Sequence, residues 1–217
     1  MKFFMKLTAT VFLLLAGISA VAYFFWYKPK FKTIAAANTF KLKKEGEGKA
    51  VLLRLKQKAD DLALYAKESG YNSQYCFMVD MKIESGKKRF FVYNLKTDSI
   101  EMAGLVAHGS SRVQSDKIQF SNAANSLCTS LGKYKIGGSY TGKFGLAFKL
   151  YGLDTTNDNA FNRAVVLHSH SCVPNDETAP IPICESWGCP TVAPAFLKVL
   201  QTYIDKSEKP VLLYVYY

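Results

Sequence analysis

The chain has 217 residues, 49% of them apolar and 14% aromatic, which is enough hydrophobic side chain for a packed core and excludes a disordered polar tract. Lysine and arginine total 28 against 17 acidic residues, a net charge of +11 that suits an anionic partner such as an acidic wall polymer or a membrane surface. No recognition-helix motif, RNP-like aromatic pattern or zinc-finger spacing accompanies that charge, so nucleic acid is set aside and the excess is read as a broadly solvated basic surface.

Lys2 and Lys6 precede a run from Leu7 to Tyr27 that carries no charge, about the length needed to cross a hydrocarbon core as a helix. It reads as a signal peptide or signal anchor over residues 1–32. Ala20 and Ala22 supply a small-residue cleavage pattern, whereas "YFFWY" followed by Lys28, Lys30 and Lys32 resembles an interfacial belt and favours membrane attachment. Either way the chain is expected to be exported, to the periplasm or cell envelope. Residues 33–74 are expected to hold a polar connector, "KKEGEGK", and then an amphipathic helix ending near Gly70. Val51, Leu52, Leu55, Ala59, Leu62 and Ala66 recur there at helical spacing.

From residue 75 to 217 the pattern changes to short aromatic and β-branched runs separated by Gly, Asn, Asp and Ser clusters. These are "YCFMVDMKI", "KRFFVYNLK", "IEMAGLVAH", "FGLAFKLYG", "RAVVLHSHS" and the terminal "VLLYVYY", with "SGKK" as a hairpin turn between the first two. "APAFLKVLQTYIDK" predicts a last helix with Pro194 in its first turn and Phe196, Leu197, Leu200, Tyr203 and Ile204 on one face. The expected fold is mainly β, mostly antiparallel, with an N-terminal helix and a helix shortly after Cys189.

Five cysteines is an odd number for an oxidising compartment. A disulfide between Cys172 and Cys184 would close the loop "VPNDETAPIPI", and Cys76 with Cys128 would make a second bridge, leaving Cys189 free. A Cys184–Cys189 bridge is the alternative pairing. Strand alternation in "RAVVLHSHS" puts Val166, His168 and His170 on one face. Cys189 follows after a loop in "ICESWGCPTV", between Gly188 and Pro190, with a helix start nearby to depress its pKa. A cysteine and a histidine so placed have the parts for acyl transfer. Zinc ligation by His168, His170, Cys172, Cys184 and Cys189, and a buried inert Cys189, are the competing readings, although H-x-H-x-C and C-x4-C fit no common structural zinc pattern.

Several motifs occur in one order: "RFFVYNLK", "VAHG", "FSN", "SLGKYKIGGSYTGKFG", "GLDTTNDNAFNRAVVLHS" and "SWGCPTV". In these the span from about Met78 onward resembles the YkuD-type L,D-transpeptidase catalytic domain, in the branch whose cysteine motif reads S-W-G-C-P. The resemblance implies a β-sandwich or barrel and an exported enzyme acting on peptidoglycan stem peptides, with no metal or organic cofactor. By position it implies Cys189 as nucleophile, His168 as base, the Ser169 carbonyl as the group orienting the imidazole, and Gly188 and Cys189 N–H as the oxyanion hole. Ser186 and Trp187 would line the same turn. Trp187 stands where the better-known branch has a histidine, and His170 is the candidate to replace it. Arg163 is expected either to bind a stem-peptide carboxylate or to cap the sheet through Asp154 or Asp158, and Tyr140 with Gly142 and Gly145 to line the groove. His108, Asn157 and Asn159 are expected to be structural. The implied reaction is attack on the bond between the third stem residue and the terminal D-alanine, with transfer of the acyl group to an amine. Carbapenems are the implied covalent inhibitors. An L,D-carboxypeptidase using water, and a non-catalytic wall-binding or zinc-stabilised module, are the alternatives.

Overall fold

The computed structural model describes residues 17, 23, 28–112 and 117–217. The expected export segment, with Ala20 and Ala22, lies otherwise outside the described residues. Among the described residues no helix is long and apolar enough to cross a membrane. Residues up to Leu52 form one unit and Leu53–Tyr217 a second.

The helix α1 (Lys28–Glu68) runs through the "KKEGEGK" stretch that the sequence suggested as a connector. Gly46 and Gly48 each cost about 1 kcal/mol against alanine in a helix interior, and the lysine, glutamate and alanine around them are good helix formers. The part of α1 in the second unit is amphipathic as expected: Leu55, Ala59, Leu62 and Ala66 are buried. Leu52, expected on the same face, is exposed.

The remaining elements are β1 (Tyr75–Asp80), β2 (Phe90–Asn94), β3 (Ser99–Gly104), β4 (Val106–Ala107), β5 (Gly132–Gly142), β6 (Gly145–Gly152), β7 (Val166–Ser169), β8 (Thr191–Val192), α2 (Pro194–Asp205) and β9 (Leu212–Tyr216). Among the described residues the strands form one nine-stranded sheet in the order β3-β2-β1-β9-β5-β6-β7-β8-β4. Only β1–β9 and β7–β8 pair in parallel. The unit from Leu53 to Tyr217 is therefore mainly β, with the end of α1 and all of α2 as its helices, as the sequence predicted.

Buried β1 and β2 have almost no alternation because both faces are covered. Phe77, Val79, Phe90 and Val92 enter a core shared with Tyr134, Phe148, Leu167, Leu213 and the α2 residues Phe196, Leu197 and Leu200. Each large apolar side chain in that core contributes about 1.5–3 kcal/mol by leaving water. Pro194 takes the first turn of α2, where its missing N–H has no intrahelical partner to lose.

The opposite face of β1 looks toward α1 and carries Asp80, which is fully buried. Asp80 accepts from Arg54 Nε at 3.0 Å and Arg54 Nη2 at 2.7 Å, and from the Lys82 N–H at 3.0 Å. A buried cation, Arg89, stands at the head of β2 and donates through Nε and Nη2 to the Val106 carbonyl at 3.0 and 2.9 Å, tying β2 to β4. Burial lowers its pKa to about 10, and the Asp80 charge opposes that fall.

Removing the buried carboxylate leaves the half-buried Arg54 charge without its partner. Asp80→Asn is expected to lower the free energy of unfolding by about 3 kcal/mol in urea titrations. A loss under about 1 kcal/mol would mean that Arg54 finds equivalent solvation without the carboxylate.

Candidate active site

The histidine strand is placed by register. In one row across five strands Tyr140 on β5 pairs with Ala147 on β6, Ala147 with His168 on β7, His168 with Thr191 on β8, and Thr191 with Ala107 on β4. Paired residues share a face, and neighbouring strands lie about 4.8 Å apart, so Tyr140 stands about 10 Å from His168 on the same side of the sheet. Leu167, pointing the other way, is fully buried in the core and anchors the strand.

The two-residue turn between Gly142 and Gly145 brings Phe144 over this row. Gly145 has a φ of +81°, which a residue with a side chain adopts at a cost. The Phe144 ring stacks on His168 with centroids 5.1 Å apart and meets His170 edge-on at 5.4 Å. His168 on β7 and His170 just past its end thus meet the same ring.

His168 is buried, and both of its ring nitrogens are engaged. Nδ1 lies 3.1 Å from the Ser169 carbonyl oxygen, and Nε2 lies 3.0 Å from Thr191 Oγ1. The Ser169 carbonyl thus holds one edge of the imidazole and the Thr191 hydroxyl the other. His170 Nδ1 accepts from the Cys172 N–H at 3.1 Å.

The cysteine turn hangs on β4 and the segment after it. The Ser186 N–H donates to the His108 carbonyl and the Ser110 N–H to the Ser186 carbonyl, both at 2.8 Å. Ser186 Oγ then closes the turn, donating to the Cys189 carbonyl at 2.6 Å and accepting from the Gly188 N–H at 3.2 Å. The Gly188 N–H, expected in the oxyanion hole, is therefore engaged within the turn. Gly188 has a φ of +107°, and a Cβ there would lie 2.7 Å from the Cys128 carbonyl oxygen and 3.2 Å from Arg163 Nη2.

Cys189 is half-buried, and its Sγ accepts from the Val166 N–H at 3.5 Å and donates to the Ala164 carbonyl at 3.9 Å. Ala164 has a φ of +53°, an uncommon conformation for a residue with a Cβ, and it aims that carbonyl at the thiol. No hydrogen bond joins Cys189 Sγ to His168. The expected depression of the thiol pKa is not found. Burial pushes the Cys189 thiol up, and the Val166 N–H and the Arg163 charge only partly oppose this. Burial also lowers the His168 pKa, against the Ser169 hydrogen bond, which raises it, and with the help of the His170 charge. Both shifts favour the uncharged forms, a neutral thiol and a neutral imidazole.

Arg163 is not paired with Asp154 or Asp158, its expected capping partners. It donates to the carbonyls of Ser121 and Cys128 at 2.9 and 2.6 Å and to Ser130 Oγ and Ser126 Oγ at 3.1 and 3.3 Å, so it braces the 121–130 loop against the cysteine turn. Trp187 is 79% exposed beside Cys189, and Tyr140 is exposed, with its ring over Gly142. His108 is structural: its Nδ1 lies 2.9 Å from Arg89 Nη2, and burial together with that cation lowers its pKa to about 4.

Cys172 and Cys184 form a disulfide, which removes two of the thiols from the zinc reading. Cys76 and Cys128 are free and buried, so the second expected bridge is not formed. Cys76 lies on β1 between its two neighbouring strands, whereas the Cys128 thiol donates to the Ser126 carbonyl at 3.5 Å in the loop under Gly188. Asn157 bridges the Asp154 N–H and the Lys133 carbonyl as a turn former. Two site residues, Phe144 and Thr191, were not singled out from the sequence. Their signals were a lone aromatic inside a glycine-bounded turn and a hydroxyl two residues past the cysteine.

The model of one protein family, described as YkuD_2, L,D-transpeptidase catalytic domain, matches residues 49–216. No curated protein matches in sequence. Similar solved structures include the helical cell shape determining protein Pgp2 from Campylobacter jejuni, at 14% identity and a TM-score of 0.43 over 67% of this chain and 49% of that one. An Ldtfm–avibactam carbamoyl enzyme is 13% identical with a TM-score of 0.40, covering 66% of this chain and 49% of that one. An L,D-transpeptidase from Xylanimonas cellulosilytica is 12% identical with a TM-score of 0.38, covering 70% of this chain and 68% of that one. The chain spans about half the length of the first two. By the family match, which covers well over half of its length and both the histidine strand and the cysteine turn, the chain belongs to the L,D-transpeptidase catalytic domain family.

Proposed function

We propose that the chain is an exported cysteine L,D-transpeptidase of the cell envelope, acting on peptidoglycan stem peptides. Residues 1–32 would serve as signal or anchor, 33–74 as a linker and helix, and 75–217 as the catalytic domain. The observation that carries the reading is the pairing of His168 with Thr191, which sets the one histidine held by a neighbouring carbonyl beside the strand that begins two residues after Cys189.

On this reading the neutral thiol gives its proton to His168 as Sγ attacks the carbonyl between the third stem residue and the terminal D-alanine. The C–S bond forms, the C–N bond breaks, and the imidazolium returns the proton to the departing amine of D-alanine. An amine of a neighbouring stem then attacks the thioester and restores the thiol. Cys189 N–H is available to the developing oxyanion, and Gly188 N–H joins it only by leaving Ser186 Oγ. Trp187, exposed two residues before Cys189, and Tyr140, exposed in the His168 row, would flank the stem peptide, with His170 behind Phe144. Arg163 would act by holding the turn rather than by touching substrate.

With disaccharide-tetrapeptide as substrate, the full chain is expected to release D-alanine and form a dimer detectable by intact mass. Cys189→Ala should lower both by at least about a thousandfold. D-alanine release without dimer would replace transpeptidation by the carboxypeptidase reading. Unchanged activity in Cys189→Ala would sink cysteine catalysis altogether. A carbapenem should add one covalent adduct to the wild type and none to that variant.

The pH dependence follows from the two displaced pKa values. Because His168 titrates below its ordinary 6.5, the acid limb of kcat/KM is expected below that value. Because Cys189 titrates above its ordinary 9.0, iodoacetamide alkylation of the resting enzyme should still be rising past that pH. A plateau of alkylation near neutrality would show a preformed thiolate–imidazolium pair instead.

A further inference from the structure

The hydroxyl of Thr191 has two acceptors within reach and one proton to give. Oγ1 lies 3.0 Å from His168 Nε2 and 3.3 Å from the Cys189 carbonyl oxygen, and Thr191 is only 3% exposed, so water is a poor substitute for either. On the other side of the ring the Ser169 carbonyl can only accept, so Nδ1 carries a proton. Neutral His168 therefore presents a lone pair at Nε2, and the Thr191 O–H donates to it. An imidazolium presents an N–H there instead, and Oγ1 must accept.

We propose that Thr191 is a positioning residue for His168, a hydroxyl that reverses its hydrogen bond as the imidazole takes up and returns the thiol proton. The inference rests on the Cys189–His168 chemistry proposed above. The step balances with a single proton moving. The Thr191 O–H turns from Nε2 to the Cys189 carbonyl, which frees the lone pair. The thiol proton leaves Sγ for Nε2, and the new Nε2–H donates to Oγ1. The Cys189 carbonyl already accepts from Ser186 Oγ and has a second lone pair for Thr191. Return of the proton to the leaving amine reverses the rotation.

The same geometry holds the resting ring in place. Phe144 covers one face of the imidazole, Ser169 and Thr191 fix its two nitrogens, and no bond to Cys189 is needed to orient it. Charged and titratable groups around His168 are few among the described residues. They are His170 just past the end of its strand, Cys189 on the adjacent turn, and Lys143 at the hairpin tip, whose Nζ lies 5.6 Å from the Phe144 centroid. None is a carboxylate that could stabilise an imidazolium, which leaves that task to the Ser169 carbonyl and Thr191 Oγ1.

The sign of the effect follows. Thr191 stabilises neutral His168 as a donor and charged His168 as an acceptor, and the charge-assisted bond is the stronger. Its loss should favour the neutral ring. In the full chain labelled with 15N-histidine, Thr191→Val is expected to move the His168 titration down by about half to one pH unit. Thr191→Ser should restore it, and neutral His168 should carry its proton on Nδ1 in the wild type. Thr191→Ala repeats the valine test with a smaller side chain if the valine variant does not fold, with His168→Gln and His170→Gln to assign the signals. An unmoved titration in the valine or alanine variant, or a serine variant shifted as far as valine, overturns the proposal. Loss of cysteine chemistry as a whole shows separately, as D-alanine release that survives Cys189→Ala, and leaves the His168 titration readable.

Discussion

The site depends on a short parallel pairing. His168 and Ser169 on β7 meet Thr191 and Val192 on β8, and this fixes where the cysteine turn ends relative to the histidine. A two-residue ladder is weak by itself. It is held from both sides: β6 pairs with β7 through Ala147, and β4 pairs with β8 through Val106 and Ala107. Buried Arg89 fastens β4 to the head of β2 with two bonds to the Val106 carbonyl. The register that joins His168 to the Cys189 turn is thus a property of the sheet.

Burial then sets the chemistry. The low-dielectric surroundings that exclude water from the row disfavour charge on either partner, raising the thiol and lowering the imidazole. A preformed ion pair would have needed surroundings that favour charge, and the groups touching the His168 ring are a carbonyl, a hydroxyl and an aromatic ring, with no carboxylate among them. The neutral resting pair makes the thiol a poor nucleophile toward solvent and adventitious electrophiles. Activation is left to the moment when a carbonyl carbon is in place to take the sulfur's electrons.

The sequence disclosed the parts whose signal is local. Alternation in "RAVVLHSHS" placed the two histidines on one face, Pro194 and the apolar spacing gave α2, and the loop between Cys172 and Cys184 suggested their bridge. The longest described strand, β5, carries no strand signal of its own: "GKYKIGGSYTG" has four glycines and two lysines and lacks an apolar run. Its pairing to both β6 and β9 outweighs that composition. Cys76 and Cys128 looked like a pair by elimination, but parity carries no distance. Arg163 looked free to bind substrate because nothing near it in sequence claimed it. Its four acceptors come from Ser121 to Ser130, over thirty residues upstream, a relation only the tertiary structure supplies.

Ser186 shows how such a turn can be rigid and still serve a reaction. Its hydroxyl donates to the Cys189 carbonyl at 2.6 Å, a short and strong bond, and accepts from the Gly188 N–H at 3.2 Å, a longer and weaker one. The strong bond fixes the peptide that carries the nucleophile. The weak one is the bond that a developing oxyanion, as a charged acceptor, would outcompete. On the proposed chemistry the resting turn therefore offers the ground-state carbonyl one free N–H and reserves the second for an acceptor bearing negative charge. Such an arrangement stabilises the tetrahedral intermediate more than the bound substrate, which is the difference that accelerates a reaction. Gly188 is indispensable to it twice over: its φ of +107° turns that N–H back toward Ser186, and its missing Cβ lets the turn rest against the Cys128 carbonyl held by Arg163.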